Sequence, residues 1–197
     1  MTKATHTGTC QCCGATQKLP NGKLSKHGYT IDNGWFQGTC YGAGHLPFEQ
    51  SKDLIEGLIE SAQEHIEKIN AEIEELKAST DHTKAWRHAH ADYQLARQLG
   101  RRSGYYWEQR EIYKHTRDDG YQSWKWKFSD DEPKGRGFNA DGCQADYRAE
   151  TLEDATRYQN GLYIKSALEP QIRQAQQYIQ WQQERIANWK PTELTEI

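Results

Sequence analysis

Residues 10 to 45 read CQCCGATQKLPNGKLSKHGYTIDNGWFQGTCYGAGH, and each end of the stretch is built to hold a metal ion. Cys10 and Cys13 stand at C-x2-C spacing, which puts two thiolates on one tight turn. Gly14 follows, where the turn needs unhindered backbone whose N–H groups can face sulfur. Cys40 and His45 form the second pair, with Gly42 and Gly44 letting the chain fold back between them. Three thiolates and an imidazole make a soft-to-borderline donor set that closes a tetrahedral site, so Cys10, Cys13, Cys40 and His45 are the expected ligands of a structural Zn2+. Cys12 competes for a place in the first pair, and His27 is the reserve ligand should His45 not be used. A catalytic zinc with an open position is the minor alternative.

Between the pairs, Pro20-Asn21-Gly22-Lys23 and Asp32-Asn33-Gly34 are turn signals on either side of a short segment with Tyr29 and Ile31,. That pattern predicts a three-stranded antiparallel unit with almost no apolar core, whose folding free energy the metal must supply, on the order of 10 kcal/mol. The stretch resembles the zinc-ribbon class, in which two knuckles on hairpins clamp one zinc. The 26 residues between Cys13 and Cys40 exceed the commonest ribbon spacing.

Downstream the periodicity becomes helical. Ile55, Ile59, Ala62, Ile66, Ile69, Ile73 and Leu76 alternate spacings of four and three, an a/d seam over three heptads,. Ser51 is placed to cap this helix, with Asp53 in its first turn, where the dipole favours an acid. The same spacing returns in Leu168, Ile172, Ala175, Ile179, Gln182, Ile186 and Trp189. Two narrow apolar stripes of similar length predict an antiparallel coiled-coil hairpin. Pairing with a second copy, giving a homodimer rather than a monomer, is the rival. Thr151 and Asp154 can start the second helix early, which would leave Pro170 inside it to bend it. Residues 83 to 99 can continue as helix through Ala85, Ala89, Ala96 and Leu99 to Gly100, either prolonging the first helix past a kink at Ser79-Thr80-Asp81 or forming a separate one.

Between these helices the chain is aromatic and basic. Gln122, Trp124, Trp126 and Phe128 alternate with Ser123, Lys125 and Lys127, a strand signature,. Asp118-Asp119-Gly120 is the turn before it, and residues 105 to 113 are the partner strand. The fold class expected is α+β, mainly α. It comprises a zinc-ribbon-like module (1–47), the first long helix of the hairpin (48–100), a small aromatic β insertion at its tip (101–150) and the returning helix with a tail (151–197).

Composition narrows the function classes. Hydrophobic content is 35% and mean hydropathy −1.05, low for one large spherical core,. No apolar run reaches the roughly 18 residues a bilayer span requires, and the N-terminal residues have no apolar leader pattern. Four of five cysteines cluster in metal-like spacing, with Cys143 read as a free thiol. A soluble protein of the reducing cytoplasm is therefore expected. No nucleophile elbow, phosphate loop or HExxH pattern occurs. A metal-dependent hydrolase would have to use His82, His88, His90 and Asp92, with His88 and Asp92 one helical turn apart.

The leading expectation is a non-enzymatic protein that docks on a protein complex. A small knuckle module joined to a coiled coil without enzyme motifs resembles accessory proteins of bacteriophages and mobile elements. That resemblance implies an inhibitor of, or adaptor to, a host intracellular defence complex. Nucleic-acid binding is the alternative, through the ribbon and Arg97, Arg101, Arg102, Arg110, Lys125 and Lys127. Against it, net charge is −3, and residues 82–136 carry only twelve Lys and Arg against eight Asp and Glu,.

Overall fold

A computed structural model describes residues 3–28, 30–31, 35–36, 38–129, 144–146 and 149–197. In chain order the elements are β1 (His6–Thr9), β2 (Thr16–Lys18), β3 (Thr30–Ile31), β4 (Trp35–Phe36), α1 (Ile55–Ala78), β5 (Lys84–Ala91), α2 (Tyr93–Gln98), β6 (Gly104–Thr116), β7 (Gln122–Trp126), β8 (Gln144–Asp146), α3 (Leu152–Tyr163), a π-helical turn (Ile164–Leu168), α4 (Glu169–Ala187) and β9 (Thr195–Glu196). The chain is mixed α/β with small antiparallel sheets. It divides into two compact units, one of residues 1–67 with 173–197 and one of residues 68–172. Among the described residues no helix is long and apolar enough to cross a membrane. The expected turn at Asp32-Asn33-Gly34, Tyr29 and Cys143 lie outside the described residues.

In the first unit β1 is the centre of a three-stranded sheet, with β2 on one side and the C-terminal strand β9 on the other. Both pairings are antiparallel, so the two ends of the chain are joined by main-chain hydrogen bonds, Ile197 donating to the Thr5 carbonyl at 3.0 Å. Segment 47–49 lies beside β1. The Glu49 carboxylate accepts from the Thr9 N–H (2.8 Å) and hydroxyl (2.6 Å), and Pro47 stands so close to Gly8 that a Cβ there would meet it at 2.5 Å. β3 and β4 form a short hairpin. Pro20–Gly22 makes one 3-10 turn, with Asn21 in the left-handed region at φ 57°, as the Asn-Gly signal requires,.

Helix α1 begins at Ile55. The residues that Ser51 was expected to cap form a preceding turn, in which the Ser51 hydroxyl accepts from the Asp53 N–H at 3.2 Å. The seam of the first stripe is the protected side of α1: Ile55, Ile69 and Ile73 are buried and Ile59, Ala62, Ile66 and Leu76 half-buried. In the second stripe Leu168, Ala175 and Gln182 are buried. Within the second unit the stripes meet, Ile69 and Ile73 packing in one cluster with Tyr163, Ile164 and Leu168.

The second unit holds a four-stranded antiparallel sheet in the order β5-β6-β7-β8. The β6–β7 hairpin follows the sequence pattern. Trp124 and Trp126 are buried on one face, and Gly120 turns the chain at φ 81°. Residues 84–91, expected to be helical, are instead strand β5. The spacing of Ala85, Ala89, Ala96 and Leu99 suggested helix, but Ala85, Arg87, Ala89 and Ala91 are buried at every second position while Trp86, His88 and His90 point the other way. That period of two fits only a strand paired with β6 along its whole length,. Helix survives only as the six-residue α2. Asp92 caps it by accepting from the Leu95 N–H at 2.8 Å. Gly100 ends it at φ 64°, with the Arg101 and Gly100 N–H groups bonded to the Ala96 and Arg97 carbonyls,.

Helix α3 lies against both edge strands of this sheet. Asn160 accepts from the Trp86 N–H (3.1 Å), Thr156 donates to the His82 carbonyl (2.7 Å), and Gln159 donates to the Ala145 carbonyl on β8. Thr151 caps α3 through the Asp154 N–H, as expected. Pro170 does sit inside the continued helix. It has no N–H for the Ser166 carbonyl, and the turn just before it widens to π geometry, with the Glu169 N–H reaching back to the Ile164 carbonyl,.

Candidate metal centre

The first knuckle is the turn of the β1–β2 hairpin. The Cys10 N–H donates to the Ala15 carbonyl (2.9 Å) and the Gly14 N–H to the Cys10 carbonyl (3.0 Å), with Gly14 in the left-handed region at φ 73°. The second knuckle starts at Cys40, whose N–H donates to the His27 carbonyl at 2.8 Å. This bond holds the second cysteine segment beside residues 24–27. At Gly42 the chain passes so close to the first knuckle that a Cβ would collide with the Cys10 sulfur. Any larger residue at 42 would push the knuckles apart.

The ligand atoms of Cys10, Cys13, His27 and Cys40 lie within 4.8 Å of one another and can hold a metal ion. The Cys10 and Cys40 sulfurs are 3.8 Å apart, and the Cys13 sulfur is 3.6 Å from His27 Nε2. A tetrahedral ion with metal–sulfur bonds of about 2.3 Å has ligand–ligand edges of about 3.8 Å, so two opposite edges already have the required length. His27 Nδ1 lies 2.8 Å from the Ser25 carbonyl. Donation to that carbonyl puts the proton on Nδ1 and turns the Nε2 lone pair toward the sulfurs.

Three expected ligands, Cys10, Cys13 and Cys40, are thus brought together, and His27, the reserve, fills the fourth place. His45 lies outside the group. Two tight turns in succession, Ala43 N–H to Cys40 carbonyl and His45 N–H to Gly42 carbonyl, carry it past the sulfurs. Its ring stacks on Tyr41 instead, with centroids 5.6 Å apart.

The surroundings combine a small leucine cluster with polar main chain. Leu19 and Leu24 are the only buried leucines beside Cys10, Cys12 and Cys40 in this cluster, so the cysteines themselves form much of the unit's core. The carbonyls of the first knuckle face helix α4. Arg185 donates to those of Gln11 (2.7 Å) and Cys10 (3.2 Å), Gln182 to that of Gln11 (3.0 Å), and Tyr178 to that of Cys12 (3.1 Å). The Arg185 guanidinium is held between the Phe48 and Trp181 rings, at 4.1 and 4.3 Å. Gln11, fully buried, donates to Asp53 and the Leu46 carbonyl and accepts from the Leu54 N–H, tying the knuckle to the start of α1. Sequence reading placed Gln182 in an apolar seam; the signal it carried was that a fully buried glutamine needs partners, and these are the knuckle carbonyls.

Crowded thiols cannot all ionise without a cation. A hydrogen bond from Cys12 holds Cys10 down at about 4, as the thiolate of the cluster. Burial pushes Cys13 up to about 12 and also raises Cys40,. At pH 7 the latter two carry protons that a metal must displace. Metal binding is therefore expected to release about two protons, and affinity should fall roughly 100-fold per pH unit on acidification. Titration in weak buffer with a pH indicator measures this; release of three would show that Cys10 is not the resident thiolate.

The other candidates are dispersed. His88 and His90 share one face of β5, and Asp92 is occupied in capping α2. Arg110 pairs with Glu108 (2.9 Å), Lys127 with Glu111 (2.8 Å), and Arg101 stacks on Tyr106 (3.4 Å). Arg97 and Arg102 are exposed, and Lys125 is half-buried opposite Tyr113. The chain matches no known protein-family profile, and no significant match exists among curated proteins or solved structures, so the geometry of its own residues carries the functional reading.

Proposed function

We propose that this is a non-enzymatic, zinc-stabilised protein-interaction protein. The N-terminal module is read as a zinc ribbon around a structural Zn2+, and the second unit as the part that presents a binding face. The donor set supports zinc: three thiolates with one imidazole, within 4.8 Å of one another, suit a closed structural site,. The cluster of Ile69, Ile73, Ile164 and Leu168 supports coiled-coil pairing of the two stripes.

One observation carries the choice of a protein partner. On the sheet of the second unit Tyr105 and Tyr113 are exposed while several of the charges are already engaged. Tyr105 is 66% exposed and continues a stack of rings through His88 (5.0 Å) to Trp107 (4.8 Å). On the face of the stack Lys127 is paired with Glu111, at the hairpin end Arg117 with Asp119, and on the opposite face Arg87 and Arg110 with Glu108. Exposed Tyr beside partly buried Trp is what protein interfaces use as an anchor. Docking on a larger complex, as an inhibitor or adaptor, is the role that fits.

Nucleic acid is the second reading, favoured by the same stack, since bases can lie on exposed rings. Affinity capture from host lysate with and without nuclease separates the two. Under the first reading a discrete protein survives nuclease and moderate salt, and Tyr105→Ala lowers its recovery about tenfold or more. Recovery of nucleic acid alone, weakening steeply with salt, would reverse the ranking.

A further inference from the structure

We infer that the metal centre has a fifth protein ligand: Cys12 can replace His27, so that Cys10, Cys12, Cys13 and Cys40 form an all-thiolate coordination set selective for soft d10 cations. The inference rests on the zinc reading above and extends it to a second coordination state of the same site.

Cys12 is 8% exposed, and its sulfur borders the same space over Gly42 as the Cys10 sulfur, 3.3 Å from the position a Cβ would take there. The Cys10 sulfur, one of the four ligands, borders that same position more closely still. Its main chain is fixed by Tyr178 (3.1 Å) and Gln182 (3.4 Å) on its carbonyl. The intervening Gln11 side chain is committed elsewhere, to Asp53 and Leu46. A buried thiol is thus held beside the ligand group. His27 is half-buried, and its ring is anchored through Nδ1 at the Ser25 carbonyl.

The exchange balances simply. The metal–Nε2 bond of His27 breaks, the Cys12 thiol gives its proton to solvent, and a metal–sulfur bond forms without change of oxidation state. The centre gains one negative charge, and Arg185, bonded to the Cys10 and Gln11 carbonyls, is the adjacent cation. Softer cations prefer thiolate over imidazole, so cadmium should favour the exchanged state more than zinc or cobalt does. Were Cys12 only a small buried hydrophobe, it would stay protonated with any metal.

The test uses the full chain without oxygen, with Co2+ and Cd2+ as probes, because sulfur-to-metal charge-transfer absorption grows with the number of metal–thiolate bonds. His27→Ala should still bind one Co2+, with that band stronger than wild type by about a third, four sulfurs replacing three. His27→Ala with Cys12→Ser should then bind at least on the order of 100-fold more weakly than His27→Ala alone. In the unaltered chain, which needs no folding control, Cd2+ should show four thiolate bonds, and Cys12→Ser three. A three-thiolate band with Co2+ in His27→Ala, or with Cd2+ in the unaltered chain, overturns the inference while leaving the Cys3His site intact. Failure of the unaltered chain to bind either ion overturns the zinc reading itself.

Discussion

Stripping the metal from the centre, or replacing Cys40 with serine, should unfold the first unit as a whole and leave the second folded. The cluster around the site has only Leu19 and Leu24 as buried leucines beside its three cysteines. Without the ion those sulfurs are a small polar group, Cys10 among them ionised, in place of a core. Structural zinc sites supply on the order of 10 kcal/mol, more than a unit of this size retains from burial alone. The unfolding should not stop at residue 47. β9 is bonded to β1, and Tyr178, Gln182 and Arg185 are bonded to the knuckle carbonyls, so residues 173–197 should lose protection together with residues 5–28. Hydrogen exchange before and after chelation reads this directly. The amides of β5, β6 and β7 should remain protected, because Trp124, Trp126, Ile112 and Ala155 form a separate core. Loss of protection there as well would refute independent stability of the second unit.

Arg185→Ala should destabilise the metal-loaded first unit by about 3 kcal/mol and weaken metal affinity between 10- and 100-fold, although its hydrogen bonds go to main chain and Gln182 rather than to sulfur,. It donates to two knuckle carbonyls and to Gln182 Oε1 (2.9 Å) while lying between two aromatic rings. A centre of three thiolates, one neutral imidazole and Zn2+ has a net charge of about −1, which a guanidinium on the adjacent main chain offsets. Lysine should not rescue it, having neither the flat face to fill the slot between Phe48 and Trp181 nor a fork to reach both carbonyls. Urea denaturation with zinc present, followed by competition with a chromophoric chelator, measures both effects. Full rescue by Arg185→Lys would show that only charge matters at this position.

Much of the centre was legible because its determinants are local. Cys10 and Cys13 are brought together by a single tight turn, and the need for Gly14 beside them follows from the backbone alone. The helical stripes and the alternation through Trp124 and Trp126 are likewise properties of contiguous residues, and the seam positions are the ones found protected. Residues 84–91 misled because alanine is the best helix former. Only the partner strand β6, hydrogen-bonded along the whole segment, overrides that preference,.

Sequence by itself therefore picked out the three clustered thiols Cys10, Cys13 and Cys40 and the positions of the apolar stripes, since spacing along a chain constrains geometry over a turn or two. Tertiary structure alone decided which histidine serves, and it decided that the last 25 residues belong with the first 67. His27 reaches the sulfurs because its carbonyl is bonded to the Cys40 N–H, and Gln182 and Arg185 are defined by carbonyls more than 160 positions away. Such contacts depend on where whole elements pack, and no local period or spacing encodes that.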